Sequence, residues 1–148
     1  MYIIFISTAA IALVALFLFY FKTNSSERKN LRGKTALITG GSNGLGQQIC
    51  LKLAQHGCNV IIADISPATE TMKKLESYSI KSKAFIVDVS NYQEILKMKQ
   101  DLLEEFKFID IVVNNAGLIP YKTIFEQSSA EIETLTKVNF NSVIFVSQ

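Results

Sequence analysis

Short apolar runs alternate with helix-period segments from Lys34 to the end of the chain. Four runs are rich in β-branched residues and nearly continuous in apolar character, as strands buried on both faces of a parallel sheet should be. They predict strands at Thr35 to Thr39, Asn59 to Asp64, Ala84 to Asp88 and Ile109 to Asn114. Strands that alternate with helices in this way predict an α/β domain built around a parallel sheet.

The segments between these runs carry helix start and stop signals. They predict helices that open at Gly44 (ending at Gly57), at Ser66, at Ser90 and near Ser128. Pro67 falls in the first turn of the second helix, where its missing N–H costs nothing. Ser90 with Gln93 reads as a capping box for the third helix, and Glu131 lies three residues after Ser128 in the same relation.

The N-terminal segment from Tyr2 to Phe21 is an apolar run without a charge. Because a helix rises about 1.5 Å per residue, about 20 residues cross the roughly 30 Å hydrocarbon core of a bilayer. A cleaved secretory signal needs a basic start, a shorter apolar core and a small-x-small cleavage site, none of which is evident. We therefore expect residues 1–22 to form an uncleaved transmembrane anchor, residues 23–33 a basic juxtamembrane linker, and residues 34–148 the α/β domain.

Charge and cysteine usage both indicate a cytosolic α/β domain. After the apolar run, the single acid Glu27 is outnumbered by the basic residues Lys22, Arg28, Lys29, Arg32 and Lys34. This bias predicts that the chain after the anchor lies on the cytosolic face. Cys50 and Cys58 lack Cys-x-x-Cys spacing, which favours two buried, reduced thiols. The net charge of +2 comes largely from the juxtamembrane cluster, so nucleic-acid binding is not expected.

Three of four glycines, Gly40, Gly44 and Gly46, mark the turn between the first strand and the first helix, in the sequence Thr-Gly-Gly-Ser-Asn-Gly-Leu-Gly from Thr39 to Gly46. Backbone N–H groups in such a turn can approach phosphate oxygens, because no Cβ stands in the way and the helix adds its positive end. The triplet alone is a weak signal, since any tight strand-to-helix turn uses glycine. A phosphotransferase P-loop would need Gly-Lys-Ser/Thr, whereas Gln47 follows Gly46.

Polar residues end the other three predicted strands. Asp64 lies twenty residues beyond Gly44, where a carboxylate can accept both ribose hydroxyls of an adenosine and would repel a 2′-phosphate. No basic residue in the glycine turn or just after Asp64 would neutralise that phosphate, which favours NAD(H) over NADP(H). Asp88 is either an acceptor for the adenine amino group or a simple cap or turn residue. Asn114 to Gly117 fall at the carboxyl edge, where open α/β sheets bind ligands.

Taken together, Thr-Gly-x-x-x-Gly-x-Gly, Asp64, Asp88-Val89 and Asn-Asn-Ala-Gly resemble the short-chain dehydrogenase/reductase family in order and spacing. The resemblance covers Leu31 to Gln148 and implies the N-terminal part of a Rossmann-like, doubly wound parallel sheet. It implies no metal site, and it places Asn139 in the family's proton relay, through a water and the catalytic lysine. The cofactor-binding residues that it implies are Gly40, Ser42, Asn43, Gly44, Leu45, Gly46, Asp64, Asp88, Val89, Asn114, Asn115, Ala116 and Gly117.

Within that family, the hydrophobic N-terminus, the basic linker and the acidic ribose residue resemble the membrane-anchored branch that includes retinol dehydrogenases and 17β-hydroxysteroid dehydrogenases. This resemblance implies an NAD-dependent oxidoreductase that acts on a lipophilic alcohol or ketone such as a retinoid or steroid. It also implies residence at the endoplasmic reticulum membrane or the lipid droplet, with a single membrane pass.

The family's catalytic Tyr-x-x-x-Lys is missing from the 148 residues, and so is its upstream serine. None of the five tyrosines, Tyr2, Tyr20, Tyr78, Tyr92 and Tyr121, is followed four residues later by lysine. This leaves two alternative expectations. In the first, the chain is the N-terminal portion of a longer oxidoreductase. In the second, it is a non-catalytic product that binds a nucleotide, forms a homo-oligomer or pairs with a full-length homologue.

Overall fold

The sheet has four parallel strands in a computed structural model that describes residues 30–148. The expected membrane anchor and most of the expected basic linker lie outside the described residues. The strands are β1 (Thr35–Thr39), β2 (Asn59–Asp64), β3 (Ser82–Ile86) and β4 (Ile111–Val113), in the spatial order β3-β2-β1-β4. The prediction of a parallel, Rossmann-like α/β sheet is confirmed.

Helices cover both faces of the sheet. They are α1 (Gly44–Gln55), α2 (Thr69–Leu75), α3 (Tyr92–Glu105), α4 (Ser129–Thr136) and α5 (Ser142–Val146). No helix within residues 30–148 is both long enough and apolar enough to cross a bilayer.

Two hydrophobic cores lie on opposite faces of the sheet, because successive residues of a strand point to opposite sides. On one face Leu37 and Ile61 lie in a core with Met98 of α3. On the other face Ile38 and Ile62 lie in a core with Cys50 of α1. Burial on both sides explains why β1 and β2 read as continuous apolar runs.

β1 and β2 have the predicted bounds, whereas β3 and β4 differ from the prediction. β3 pairs with β2 from Ser82 to Ile86, two residues earlier than Ala84 to Asp88. Asp88 leaves the ladder because its N–H donates to the Glu94 carboxylate at 2.8 Å. β4 is confined to Ile111–Val113, the three residues that pair with β1.

The second and third helices begin later than predicted. The N–H of Ser66 donates to Asp64 Oδ1 at 2.9 Å in a turn, so α2 starts only at Thr69. The predicted Ser90–Gln93 capping box is wrong. Asn91 is the N-cap of α3, and its side chain accepts from the N–H of Gln93 at 3.1 Å.

The fourth helical segment begins as predicted but contains an irregularity. Ser128 caps α4 and forms a reciprocal capping box with Glu131. After α4 the chain continues as a π-helical segment, Lys137–Asn141, and then as α5. A short 3₁₀ turn at Ile124–Glu126, with its own capping box from Thr123, was not predicted.

Candidate functional site

A cavity of about 400 Å³ opens at the carboxyl edge of the sheet. It is lined by Gly40, Asn43, Leu45, Gly46, Ala63, Asp64, Ile65, Val87, Asp88, Val89, Ser90, Asn115, Ala116, Gly117, Leu118, Thr134 and Val138. Most of the residues predicted to bind a cofactor therefore meet in one place. The predicted residues that do not line the cavity are Ser42, Gly44, Asn114 and Asn139.

The glycine turn joins β1 to α1 through a conformation that side chains would obstruct. Gly40 and Gly44 have positive φ values of 67° and 54°. A Cβ on Gly46 would lie 2.0 Å from the carbonyl oxygen of Gly40 and 2.6 Å from Asn115 Nδ2. The third glycine therefore allows α1 to lie directly against the turn that precedes it.

The helix α1 begins directly at this turn, and no capping side chain binds its first backbone N–H groups. Asn43 occupies the N-cap position but makes no capping bond, and no acidic residue lies in the first turn. The first N–H groups of a helix lack intrahelical partners, and the helix dipole adds a partial positive charge there. Such an end fits a phosphate or pyrophosphate group.

Asp64 is fixed by two backbone donors. Its Oδ2 accepts from the N–H of Ser42 in the glycine turn, and its Oδ1 accepts from the N–H of Ser66, both at 2.9 Å. Each carboxylate oxygen has a second lone pair, so the group can still accept from a pair of ribose hydroxyls. Asp64 does not cap the following helix, because Ala68 is the N-cap of α2. The bond to Ser42 was not foreseen from the sequence.

The second acidic position, Asp88, serves its own loop while lining the cavity. Its Oδ1 accepts from the N–H of Ser90 at 2.8 Å, which is the turn role that the sequence analysis left open. Val89 beside it is buried, whereas Leu45 and Ile65 expose 71% and 66% of their surface at the cavity wall. These two exposed apolar side chains offer a surface for a base or ring. Ile65 was missed, although its place directly after a strand-ending acid was a usable sign.

Asn115 connects the two sides of the cavity. Its Nδ2 donates to the carbonyl oxygens of Thr39 and Gly40. The hydroxyl oxygen of Thr39 accepts from the N–H groups of Asn115 and Ala116, both at 3.0 Å. Asn114 instead donates to Ser147 Oγ at 3.2 Å, so only the second asparagine of the pair lines the cavity.

Asn139 lies in the π-helical segment and binds the backbone of Leu118. Its Oδ1 accepts from the N–H of Leu118 and its Nδ2 donates to the carbonyl of the same residue, both at 2.8 Å. Short π segments interrupt α-helices often at functional sites. The side chain of Asn139 thus holds a cavity-lining residue in place. Its part in a proton relay stays a prediction.

The charged side chains that line the cavity within the described residues are all acidic. Asp64 and Asp88 both contribute carboxylates, and no lysine or arginine is among the described residues that line it. A 2′-phosphate on a bound adenosine would therefore meet negative charge without a basic partner.

A glycine turn, a helix N-terminus and a strand-ending acid that meet at one edge of a parallel sheet define a dinucleotide-binding fold. The profile of the family described as short chain dehydrogenase matches residues 34–148. The chain belongs to this family.

Similar proteins include an L-rhamnose 1-dehydrogenase (NADP(+)) from Thermoplasma acidophilum, which is 36% identical over 122 residues that cover 80% of this chain and 48% of that protein. A 2-dehydro-3-deoxy-D-gluconate 5-dehydrogenase from Escherichia coli is 35% identical over 119 residues, with coverages of 80% and 47%. The structure of a short-chain type dehydrogenase/reductase from Mycobacterium marinum superposes with a TM-score of 0.76 at 26% identity, covering 80% of this chain and 49% of that one. The chain spans about half the length of the curated relatives it matches.

Proposed function

We propose that the cavity binds a nicotinamide dinucleotide, with NAD(H) preferred over NADP(H), as the cofactor half of an oxidoreductase. The observation that carries the proposal is the position of Asp64, whose carboxylate is anchored to the glycine turn through Ser42 N–H. The same contact joins the expected ribose site to the expected pyrophosphate site. A cavity of about 400 Å³ at the strand ends offers the space.

The preference for NAD(H) rests on residues of this chain. The name of one relative includes NADP(+), so family membership does not decide between the two cofactors. Here the anchored Asp64 carboxylate favours free ribose hydroxyls, and the cavity wall among the described residues lacks the cation that a 2′-phosphate needs.

A bound nicotinamide dinucleotide supplies a hydride donor or acceptor. In this proposal the N-terminus of α1 binds the pyrophosphate, Asp64 accepts from the ribose, and the exposed side chains of Leu45 and Ile65 lie against the adenine. Asn139 holds the backbone of Leu118 beside the remainder of the cofactor. We assign no acid/base step to these residues, because the 148 residues contain no Tyr-x-x-x-Lys.

A lipophilic alcohol or ketone is the substrate class that we assign to this site. A second cavity of about 450 Å³ shares Leu118 and Thr134 with the first. Its other lining residues are Ile119, Pro120, Tyr121, Lys122, Gln127, Ala130, Glu131 and Leu135. The apolar part of this wall, together with the apolar run from Tyr2 to Phe21, supports a substrate drawn from a membrane or lipid-droplet surface. Nuclear magnetic resonance titration should show saturable shifts at Leu118 and Leu135 with 2-decanol, and the assignment is wrong if only xylitol produces them.

The cofactor proposal is tested by titrating the chain with NADH and with NADPH by fluorescence, using Asp64→Asn and Asp110→Asn as variants. Asp110, before the start of β4, is the control because its Oδ2 also accepts from a backbone N–H, that of Thr35 at 2.9 Å, while its Oδ1 pairs with Lys34 at 2.7 Å. We expect NADH to bind about tenfold more tightly than NADPH, and Asp64→Asn to remove most of that difference, a change of about 1.4 kcal/mol. Asp110→Asn should leave the ratio unchanged. Equal affinities in the unmodified chain would contradict the proposed preference.

A further inference from the structure

A directed series of hydrogen bonds runs from α2 to the glycine turn. Lys74 Nζ donates to Gln47 Oε1 at 2.9 Å, and Gln47 Nε2 donates to Thr71 Oγ1 at 2.9 Å. The hydroxyl of Thr71 then donates to the carbonyl oxygen of Ser42 at 2.8 Å. Side chains of two helices thus converge on one peptide group of the turn.

The direction of this series is determined by its first member. A lysine ammonium is only a donor, so the amide oxygen of Gln47 must face Lys74 and its NH₂ must face Thr71. The Thr71 hydroxyl accepts that bond, which leaves its proton for Ser42. Thr71 is fully buried, and Gln47 and Ser42 expose 7% and 8% of their surface. Because the bonds are shielded from water, losing one leaves a polar group without a partner.

Ser42 is consequently held on both sides. Its N–H donates to Asp64 Oδ2, and its carbonyl accepts from Thr71. In a planar trans peptide, the carbonyl of Ser42 and the N–H of Asn43 point in opposite directions. Fixing the carbonyl toward α2 therefore fixes the direction of the Asn43 N–H, in a residue that lines the cavity.

We infer that Thr71 and Gln47 are positioning residues for the cofactor, and this inference rests on the proposed dinucleotide function. They orient the Ser42–Asn43 peptide so that the turn presents its backbone donors to the pyrophosphate. Packing of α1 on α2 does not require polar groups, since apolar side chains of similar volume would fill a buried contact at least as well. Thr71, bound by Gln47, instead donates to the carbonyl of Ser42, which lies between Asp64 and the N-terminus of α1.

The test compares Thr71→Val, which keeps the shape and removes the hydroxyl, with Thr71→Ser, which keeps the hydroxyl and removes the methyl. Thr35→Val is the control, because Thr35 is also a buried threonine with a bonded hydroxyl but lies at the opposite end of β1. Two readouts are taken on the chain: NADH affinity by fluorescence and amide hydrogen exchange of residues 40–46 without ligand. Thermal unfolding is followed in parallel to establish that each variant is folded.

We expect Thr71→Val to weaken NADH binding about tenfold and to speed exchange in residues 40–46. Thr71→Ser should stay within about twofold of the unmodified chain in both readouts, and Thr35→Val should change neither. Gln47→Met removes the donor to Thr71, the longer bond from Gln47 to the Ser42 carbonyl at 3.5 Å and the acceptor for Lys74. It should weaken binding about threefold, and it serves if Thr71→Val does not fold.

Two results would overturn the inference. One is a loss of NADH affinity and a rise in exchange that are as large in Thr71→Ser as in Thr71→Val. That result would mean that the volume of the Thr71 side chain matters and its hydroxyl does not. The other is unchanged exchange in residues 40–46 in Thr71→Val or Gln47→Met. If the unmodified chain binds no NADH, the proposed function fails, and the exchange measurement still decides whether the bonds organise the turn.

Discussion

The side-chain amide of Asn115 bridges the ends of two adjacent parallel strands, β1 and β4, by donating to the carbonyl of Gly40 at 2.9 Å. It also donates to the carbonyl of Thr39 at 3.0 Å. The glycine turn after β1 and the segment after β4 are thereby held at a fixed separation. Both segments line the cavity, so the Asn115 amide, together with the Thr39 hydroxyl, joins its two sides.

Replacing Asn115 with aspartate should therefore lower the free energy of unfolding by about 2 kcal/mol or more. The change keeps the shape of the side chain but turns a donor into a carboxylate oxygen that faces two carbonyl oxygens. Asn114→Asp is the matched control, because the exposed amide of Asn114 donates only to Ser147 Oγ. Chemical denaturation of both variants measures the difference, and equal losses would show that the bridge is not the cause.

Gly46→Ala should destabilise the chain by about 3 kcal/mol, although alanine favours a helix more than glycine does. The reason is the 2.0 Å separation between a Cβ at this position and the carbonyl oxygen of Gly40. Gly117→Ala is the comparison, because there the new Cβ would meet only Asn139 Oδ1 at 3.4 Å. Urea denaturation should separate the two variants by at least about 2 kcal/mol. A small loss of stability in Gly46→Ala would mean that α1 can move away from the turn at little cost.

Glu131 makes the stability of the α4 N-terminus depend on pH. The hydrogen bond from Lys122, followed by those from the Ser128 backbone and side chain, lowers the pKa of Glu131 from 4.5 to about 2. Because the folded-state pKa is the lower one, this stabilisation is present above about pH 4.5 and is lost as the pH falls toward 2. The stability difference between the chain and Glu131→Gln should shrink across that window in denaturation curves. A difference that stays constant with pH would contradict the ion pair as its source.

Cys50 should resist alkylation in the folded chain. Burial raises the pKa of its thiol to about 12, and burial, followed by the charge of Asp110, also raises the pKa of Cys58. The thiolate is the reactive form, so little of it exists at pH 8. Mass spectrometry after iodoacetamide treatment should find neither thiol modified until denaturant is added. Rapid labelling in native buffer would show that the core around α1 opens easily.

Much of the fold could be predicted from the sequence, because burial on both faces makes β1 and β2 continuous apolar runs. The same periodicity could not give the start of α2 or α3. Those starts depend on which of several neighbouring polar side chains takes a backbone donor. Asn91 takes the N–H of Gln93 that Ser90 was expected to serve, and Asp64 takes the N–H of Ser66 itself.

The site was predictable where one residue type is required by geometry, as at the glycine turn and at Asp64. It was not predictable where the role depends on a contact between distant segments. Thr71 is twenty-nine residues from Ser42 and has no local pattern that reveals their bond. The π-helical segment at Lys137–Asn141 likewise has no sign in a pattern that reads as one continuous helix.

The most direct test of the central claim is to map NADH binding onto the chain by amide hydrogen exchange. We expect saturable protection in four separate segments, residues 40–46, 64–66, 87–90 and 115–118, with residues that do not line the cavity little changed. These segments meet only at the carboxyl edge of the sheet. Protection confined to residues that do not line the cavity, or no saturable binding, would contradict the assignment of this edge as a dinucleotide site.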